Sequence, residues 1–248
     1  TDAGIFQLEV SDIVDDEVVE TTEYDDVPIQ DGSTGAVLLG PTSADTILRV
    51  DTDNNGTQEL IPVSTPEPTE LTIPASSDAY IYQYTPTKNY GRTSAMHVYP
   101  WSPRYSKRSL IHFDLSSIPP NATILSATIN LKESGTYGFP RSIALHRISQ
   151  PWTEQGVTWN TASPNTPWTT PGGAFLSHPS ASTTLSWDGI LGWNSWDITN
   201  DIQQITNNSI PNYGWMIKDT VEDKSQHYWF FHSRESANVP YVRVVFRV

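Results

Sequence analysis

The sequence predicts an all-β protein, an antiparallel β-sandwich of the jelly-roll type with one short helix, preceded by a small β unit. Most of the chain consists of short runs in which apolar and polar residues alternate, which is the pattern of half-buried strands. Turn-forming residues separate these runs, and the chain holds 14 glycines and 19 prolines. A single segment shows the helical period. Together these features favour a sheet-based fold over a helical one.

Charge divides the chain into two parts. Residues 1–72 hold 17 acidic residues and one base, Arg49, for a formal charge of −16, whereas residues 73–248 hold 11 acids and 13 bases, for +2. The stretch IPVSTPEPTELTIPAS, residues 61–76, has four prolines and no hydrophobic period, which is typical of an extended linker. We therefore expect an acidic, sandwich-like β segment over residues 1–70, the end of a linker over 71–76 and a jelly-roll domain over 77–248.

The first part contains four runs of strand character, IFQLEV, EVVETTEY, GAVLLG and TILRVD, which predict a small antiparallel unit. The stretch DTDNNGTQE matches the first half of a calcium-binding loop, with Asp51, Asp53 and Asn55 at alternating positions before a glycine. Pro62 stands where such a loop has its bidentate acid, so a complete EF-hand is excluded. A partial calcium site and a plain acidic hairpin turn both stay open.

The second part is a series of predicted strands. In KRSLIHFDL, residues 107–115, Leu110 and His112 face one side while Ile111 and Phe113 face the other. The turn SSIPPNA ends this strand, because its two prolines lack the N–H groups that a ladder needs. The later strands are predicted at TILSATINLKE (123–133), SIALHRI (142–148), WMIKD (215–219), YWFFHS (228–233) and PYVRVVFRV (240–248).

One segment, DITNDIQQI over residues 197–205, has the helical period. Ile198, Ile202 and Ile205 lie on one stripe, and Thr199 stands in the predicted N-cap position. We therefore expect one short helix between two strands of the sandwich.

Composition excludes several classes of function. The chain has no cysteine, so it has no disulfide, thiolate metal site or cysteine nucleophile. No run of eighteen apolar residues is present, so we expect no membrane insertion. A net charge of −14 argues against nucleic acid as a partner, because nucleic-acid binding needs a basic face. The sequence has neither a GxSxG motif nor a glycine-rich phosphate loop, and no catalytic residues are predicted.

A basic and aromatic stretch, KNYGRTSAMHVYPWSPRYSKR over residues 88–108, stands out in this acidic chain. It holds five of the 14 basic residues and four aromatic ones. Such a loop suits sugar recognition, since aromatic faces stack on the C–H faces of pyranose rings and arginine or lysine meets hydroxyls and carboxylates. The alternative is that Trp101 folds back and caps the sandwich. The candidate sugar contacts are Lys88, Arg92, Trp101, Arg104, Tyr105, Lys107 and Arg108.

The second part resembles the DNRLRE domain, also described as carbohydrate-binding module family 96. The resemblance covers residues 75–248 and rests on SSDAYIYQYTPTKNYG, KRSLIHFDLSSIPPNATILSATINL, ALHRISQPWTEQGVTWNTA, WTTPGGAF, SWDITNDIQ, NYGWMIKD and FFHSRESANVPYVRV. It implies a β jelly roll, an extracellular or cell-surface location and polysaccharide binding. A branch that resembles it recognises uronic-acid polymers through basic residues, which agrees with the basic stretch. Arg108 leads directly into a strand, which leaves a structural role open for it.

The resemblance also bears on metals and on catalysis. Jelly rolls of this kind often hold a structural calcium ion, for which Asp78 and Asp219 are candidates by position. Together with the acidic first part, the chain resembles disaggregatase-related surface proteins of methane-producing archaea, which act on a chondroitin-like envelope polymer with a catalytic part elsewhere in a longer chain.

We therefore expect a non-catalytic module of a longer chain that binds an acidic, uronate-containing polysaccharide. Two alternatives stay open. The first is a structural envelope or adhesion module. The second is a fragment of a polysaccharide lyase or hydrolase, with His97 or Tyr105 as acid or base.

Overall fold

The computed structural model describes residues 4–14, 17–29, 34–38, 47–51, 59–62, 67–101, 103–186, 191–223 and 225–248, with the backbone alone described before residue 67. The chain divides into two compact units, Thr1–Glu67 and Pro68–Val248. Among the described residues, no helix has the length and apolar character needed to cross a membrane.

The described part of the first unit consists of five strands in two antiparallel sheets. β1 (Gly4–Val14) pairs with β2 (Glu17–Ile29), and β4 (Ile47–Asp51) lies between β3 (Thr34–Leu38) and β5 (Glu59–Pro62). The four predicted runs coincide with β1 to β4. Of the predicted calcium-loop residues, Asp51 ends β4 with its side chain undescribed, and Asp53 and Asn55 lie outside the described residues.

The second unit is an antiparallel β-sandwich, as predicted. Its strands are hydrogen-bonded in the order β13-β10-β15-β8-β6-β17-β9-β16-β7, and β14 also pairs with β9. One short helix, α1 (Thr199–Thr206), follows β14. The strands are β6 (Thr69–Tyr82), β7 (Ala95–Val98), β8 (Lys107–Phe113), β9 (Thr123–Tyr137), β10 (Arg141–Arg147), β11 (Thr161–Ser163), β12 (Thr166–Pro167), β13 (Ala181–Leu185), β14 (Trp193–Asp197), β15 (Trp215–Asp219), β16 (Tyr228–His232) and β17 (Tyr241–Arg247).

The main core lies between the two layers of this sandwich. Phe113 and Trp215 come from the layer that contains β8 and β15, and Trp196, Trp229 and Phe231 come from β14 and β16. All five side chains are less than 2% exposed, so they contribute most of the large buried apolar area. The two layers therefore pack against each other through this core, and their outer faces lie on the side away from it.

A second apolar cluster covers the outer face of β6, β8 and β15. Ile81, Leu110 and Met216 lie on this face and pack with Trp159 and Trp168 from the long connection between β10 and β13. Strand β8 therefore alternates as predicted, but both of its faces are covered.

The predicted linker end at residues 71–76 is wrong, because these residues belong to β6. Leu71, Ile73 and Ala75 alternate with polar residues and pack on the main core. Pairing with β17 ends at Pro74, and pairing with β8 begins at Ala75. The missing N–H of Pro74 therefore falls where the strand passes from one layer to the other, so the ladder tolerates the proline.

The helix begins differently from the prediction, although its stripe is confirmed. Ile198 and Ile202 are buried, and Ile205 packs on the same core. Thr199 is the first helical residue rather than the N-cap, and its backbone N–H and hydroxyl both donate to Asp197, at 2.9 and 2.7 Å. The acceptor that the helix start needs therefore comes from the residue before the cap.

We expect Gly214→Ala to lower the stability of the second unit. Gly214 has φ +79°, and an added Cβ would overlap the carbonyl oxygen of Ile111 on β8. The unfavourable backbone conformation alone costs about 1–3 kcal/mol. Urea denaturation should show this loss.

Gly192→Ala is the matched control, because a Cβ there meets no atom within 4 Å. We expect it to change the free energy of unfolding by less than about 0.5 kcal/mol. Equal stability of the two variants would contradict the role given to Gly214.

Candidate functional site

Six rings from five segments form a continuous row on the second unit, which we call the ring stack. Successive ring centroids are 4.0 to 5.8 Å apart, and successive planes lie 6° to 24° from parallel. Because rings stacked face to face cover each other's faces, the inner rings offer no free face to a ligand, and Tyr80 among them is buried. In order along the row, the members are Tyr90, Tyr80, His97, Phe230, Tyr228 and Tyr137.

Strand alternation places these rings together. In β16, Trp229 and Phe231 point into the main core, so Tyr228 and Phe230 lie on the opposite face. Phe230 stands directly opposite His97 on β7, and such cross-strand neighbours are close enough to stack. The core and the ring stack therefore use alternate residues of the same strand.

Lys107, the first residue of β8, places its ammonium among these rings. Its Nζ lies 4.7 Å from the centroid of Tyr82, 5.5 Å from Tyr80 and 6.0 Å from Phe230. Burial lowers the pKa of Lys107. Burial and the charge of Lys107 lower the pKa of His97 to about 3. The imidazole is therefore neutral at physiological pH, and its Nδ1, 3.2 Å from Nζ, accepts a hydrogen bond from the ammonium.

A second group of rings lies beside the ring stack, and we call it the loop cluster. Tyr84 is 50% exposed and stacks with Tyr105 at 5.1 Å, while Trp101 meets Tyr105 edge-on at 5.8 Å. The guanidinium of Arg104 lies over Tyr84 and Tyr105, at 5.4 and 5.7 Å. Trp101 thus packs on tyrosines of this cluster. The members of the loop cluster are Tyr82, Tyr84, Tyr99, Trp101 and Tyr105.

The turn that carries Lys88 and Tyr90 is held by contacts to a neighbouring turn. Asn89 Nδ2 donates a hydrogen bond of 2.7 Å to the carbonyl of Glu154. An added Cβ at Gly91 would overlap the same carbonyl, so only glycine permits this close approach. Lys88 Nζ lies 5.1 Å from the ring of Tyr90. The end of the ring stack is therefore fixed, with a cation beside it.

The cations of this site lack acidic partners. Neither Lys88, Arg104 nor Lys107 forms a salt bridge with a carboxylate in the part of the chain that the structure describes. Five arginines of the second unit do, namely Arg108, Arg141, Arg147, Arg234 and Arg243. We call the ring stack, the loop cluster and the three unpaired cations the aromatic–cationic surface. Its positive charge is available to an anionic ligand.

The structure brings five of the seven predicted sugar contacts into this surface and leaves two outside it. Arg92 lies outside, where its Nε donates to Gln155 Oε1 at 2.7 Å. Arg108 pairs with both carboxylate oxygens of Glu222, at 2.7 and 2.6 Å, and stacks on Trp159. As neighbours on one strand, Arg108 and Lys107 point to opposite faces, so Arg108 has a structural contact instead.

The predicted calcium ligands of the second unit lie apart. Asp219 accepts hydrogen bonds from Arg141 with both oxygens, at 2.8 and 3.0 Å, so it does not fit a calcium ligand as it stands. Asp78 accepts the backbone N–H of Arg234 at 2.7 Å. Among the described residues, no group of three or more metal-binding side chains is placed to hold an ion. Calcium binding stays a prediction.

An open groove of about 1140 Å³ lies elsewhere, beside α1. The described residues that line it include hydroxyl and amide side chains, His178, and Arg147, which is paired with Asp201 at 3.7 Å. Among the described residues, no tryptophan, tyrosine or phenylalanine lines it. Its size alone therefore does not make it the better sugar site, because a pyranose face has no ring to stack on there.

The predicted sugar contacts missed the rings of the ring stack and three of the five rings of the loop cluster, although the sequence contains a signal for them. In YIYQY, residues 80–84, three tyrosines recur at every second position, and YWFFHS has rings on both faces of one strand. Because one face of such a strand fills the core, the other face must place its rings elsewhere. A strand with aromatic residues on the face that points away from the core therefore indicates a group of rings outside the core.

A β-sandwich that carries unpaired cations beside a cluster of aromatic rings has the features of a carbohydrate-binding module. The comparison with family models agrees, since residues 69–246 match carbohydrate-binding module family 96. The chain belongs to this family, and it binds carbohydrate as a module. No curated protein matches the chain.

We expect His97→Gln to reduce the loss of stability at acidic pH. Because the pKa of His97 is lowered to about 3, only the unfolded chain takes up this proton as pH falls from about 6.5. The stability that His97 contributes is complete above pH 6.5 and is lost progressively towards pH 3. Thermal melts at pH 7 and pH 4.5 should show a smaller difference for the variant than for the wild type.

Asp78→Asn provides a control of opposite sign. Burial, followed by the nearby carboxylates, raises the pKa of Asp78 to about 7, so here the folded state holds the proton more tightly. Protonation of Asp78 thus adds stability as pH falls, and its removal should steepen the acid loss. The same slope in both variants would contradict these assignments.

Proposed function

We propose that the aromatic–cationic surface binds an acidic, uronate-containing polysaccharide without catalysing a reaction on it. One observation carries this proposal: Lys107, Arg104 and Lys88 lie beside aromatic rings without an acidic partner in the described residues. Burying a lysine unpaired is unfavourable, and an anionic ligand would relieve that penalty.

The orientation of the rings supports an anion over a neutral sugar. The edge of an aromatic ring carries positive partial charge, and the stacked rings of His97, Phe230 and Tyr228 are partly exposed, with their edges rather than their faces uncovered. A carboxylate above this row would meet these edges and the ammonium of Lys107. The more exposed rings, Tyr84 and Tyr137, leave apolar surface for the C–H groups of the sugar.

Geometry also favours binding over catalysis. A lyase would need a base that takes a proton from the sugar. Nδ1 of His97 already accepts a hydrogen bond from Lys107. The experiments below distinguish non-catalytic binding from the two alternatives, a lyase or hydrolase and a structural envelope module.

The setting of the module is part of the proposal. We place it outside the cell or at the cell surface, as one module of a longer chain, because extended acidic polysaccharides occur there. The acidic first unit would act as a spacer that keeps the module soluble. The relation to disaggregatase-related proteins and the calcium ion stay predictions.

We expect Lys107→Met to weaken binding of an acidic polysaccharide without lowering the melting temperature. Methionine keeps an unbranched apolar side chain of similar length beside Tyr80, Tyr82 and Phe230. Removing the half-buried charge of Lys107 also removes the free energy that its desolvation costs the folded state. Loss of one charge-assisted contact should raise the dissociation constant roughly tenfold. Affinity electrophoresis in alginate, pectate and chondroitin gels measures this, with neutral glucan as the uncharged polymer.

Arg92→Gln is the matched control, since it removes one exposed positive charge that contacts no described ring. It should leave retention nearly unchanged. If the wild type were retarded no more in any acidic gel than in the neutral glucan gel, the proposed function would be refuted. Absorbance of unsaturated sugar ends in the same mixtures would reveal a lyase, and self-association without retention would favour the structural alternative.

The contributions of Arg104 and Lys107 to binding should differ in their dependence on salt concentration. Arg104 is exposed at the rim, so its contribution is screened when the Debye length falls from about 30 Å at 0.01 M to about 8 Å at 0.15 M ionic strength. We expect Arg104→Ala to weaken binding several-fold at low salt and far less at physiological salt. The effect of Lys107→Met should persist, because the more buried charge is screened less. Identical salt dependence of the two variants would contradict this division.

A further inference from the structure

The outer face of the β14–β9–β17 part of the sandwich carries a second pair of aromatic rings. Trp196 and Val242 point into the main core, so Trp193 on β14 and Tyr241 on β17 lie on the opposite face. The ring centroids of Trp193 and Tyr241 are 5.1 Å apart and their planes are tilted by 58°. Trp193 is 44% exposed. An aromatic platform of this kind offers a ring face, unlike the inner ring stack.

Polar groups suited to a uronate lie beside this pair. Lys132 stands directly opposite Trp193 on β9 and forms no salt bridge with a described carboxylate. Its Nζ donates to Asn238 Oδ1 at 3.2 Å, and Asn238 Nδ2 lies 3.4 Å from His232. Burial and the charge of Lys132 lower the pKa of His232, so the imidazole is neutral and Lys132 carries the positive charge here.

Strands β9 and β16 connect this platform to the ring stack. On β16, His232 follows Phe230 by two residues and lies on the same outer face. On β9, Lys132 and Tyr137 are five residues apart, which corresponds to about 17 Å along a strand. That separation exceeds the reach of a disaccharide, but a longer chain can cover it.

We propose that Trp193, Tyr241 and Lys132 form a second subsite for the same acidic polysaccharide, which lies across the outer face from this platform to the aromatic–cationic surface. Trp193 supplies the face on which a pyranose stacks, and Lys132 meets a carboxylate. The occupant follows from charge complementarity at Lys132 and from continuity with the ring stack. This inference rests on the proposed function and adds that the module binds the interior of an extended chain.

The test compares chain lengths. Dissociation constants of wild type, Trp193→Ala and Lys132→Gln are measured by calorimetry for the polymer, hexasaccharide and disaccharide of alginate, of pectate and of chondroitin. Trp193→Ala should weaken polymer and hexasaccharide binding roughly tenfold, and Lys132→Gln several-fold, with the disaccharide unaffected. Leu125→Ala on β9 is the matched control, since Leu125 is 42% exposed, and it should change none of these values.

The outcomes are distinguishable. Unchanged hexasaccharide and polymer binding in both variants overturns the second subsite and leaves the proposed function intact. Equal weakening for the disaccharide and the polymer also overturns it, because the rings would then belong to a single site. If Trp193→Ala fails to fold, the dissociation constants of Lys132→Gln for the hexasaccharide and the polymer decide whether the second subsite exists. Absence of wild-type binding to every alginate, pectate and chondroitin chain removes the proposed function itself, and the subsite with it.

Discussion

The two-residue period of the strands is the constraint on which both the fold and the site depend. In β16, Trp229 and Phe231 fill the core, and their neighbours Tyr228 and Phe230 form the ring stack. A shift of one residue would move each set to the wrong face, so core packing also fixes the register of the surface. The precision of the site therefore comes from the buried tryptophans beneath it.

Lys107 shows what this arrangement costs the folded state. Its ammonium lies among tyrosine and phenylalanine rings with a neutral imidazole as its hydrogen-bond partner, and burial lowers its pKa. Cation–π contacts with these rings offset part of the free energy lost by desolvation of the ammonium, on the order of 0.5–2 kcal/mol. Arg108, one residue later, pairs with Glu222. The contrast between these neighbours argues that the charge of Lys107 is left unpaired for a ligand.

Local pattern predicted much of this structure, and non-local pairing explains the rest. The alternation in residues 107–115 and 228–233 is a local property, so those strands could be predicted. The linker end predicted at residues 71–76 is wrong because the pairing of these residues is set by β17 and β8, which lie far along the chain. Thr199 is not the N-cap because it donates to Asp197, two residues earlier, while its hydroxyl oxygen accepts the backbone N–H of Ala127 on the distant strand β9. The basic stretch predicted Trp101, Arg104 and Lys107 together. Nothing local could show that Phe230 lies opposite His97.

The sheet geometry also bears on how such a module meets a polymer. Rings and unpaired lysines lie on strands, whose backbones are fixed by ladders and by the core, so little conformational entropy is lost when a chain binds. A platform built on a sheet is open at both ends, whereas a pocket closes on a chain terminus. In the proposed arrangement, the two groups of rings joined along β9 and β16 would act as linked sites with a fixed separation, so each would raise the effective concentration at the other. Weak individual sugar contacts would then add up to firm attachment along the proposed acidic chain.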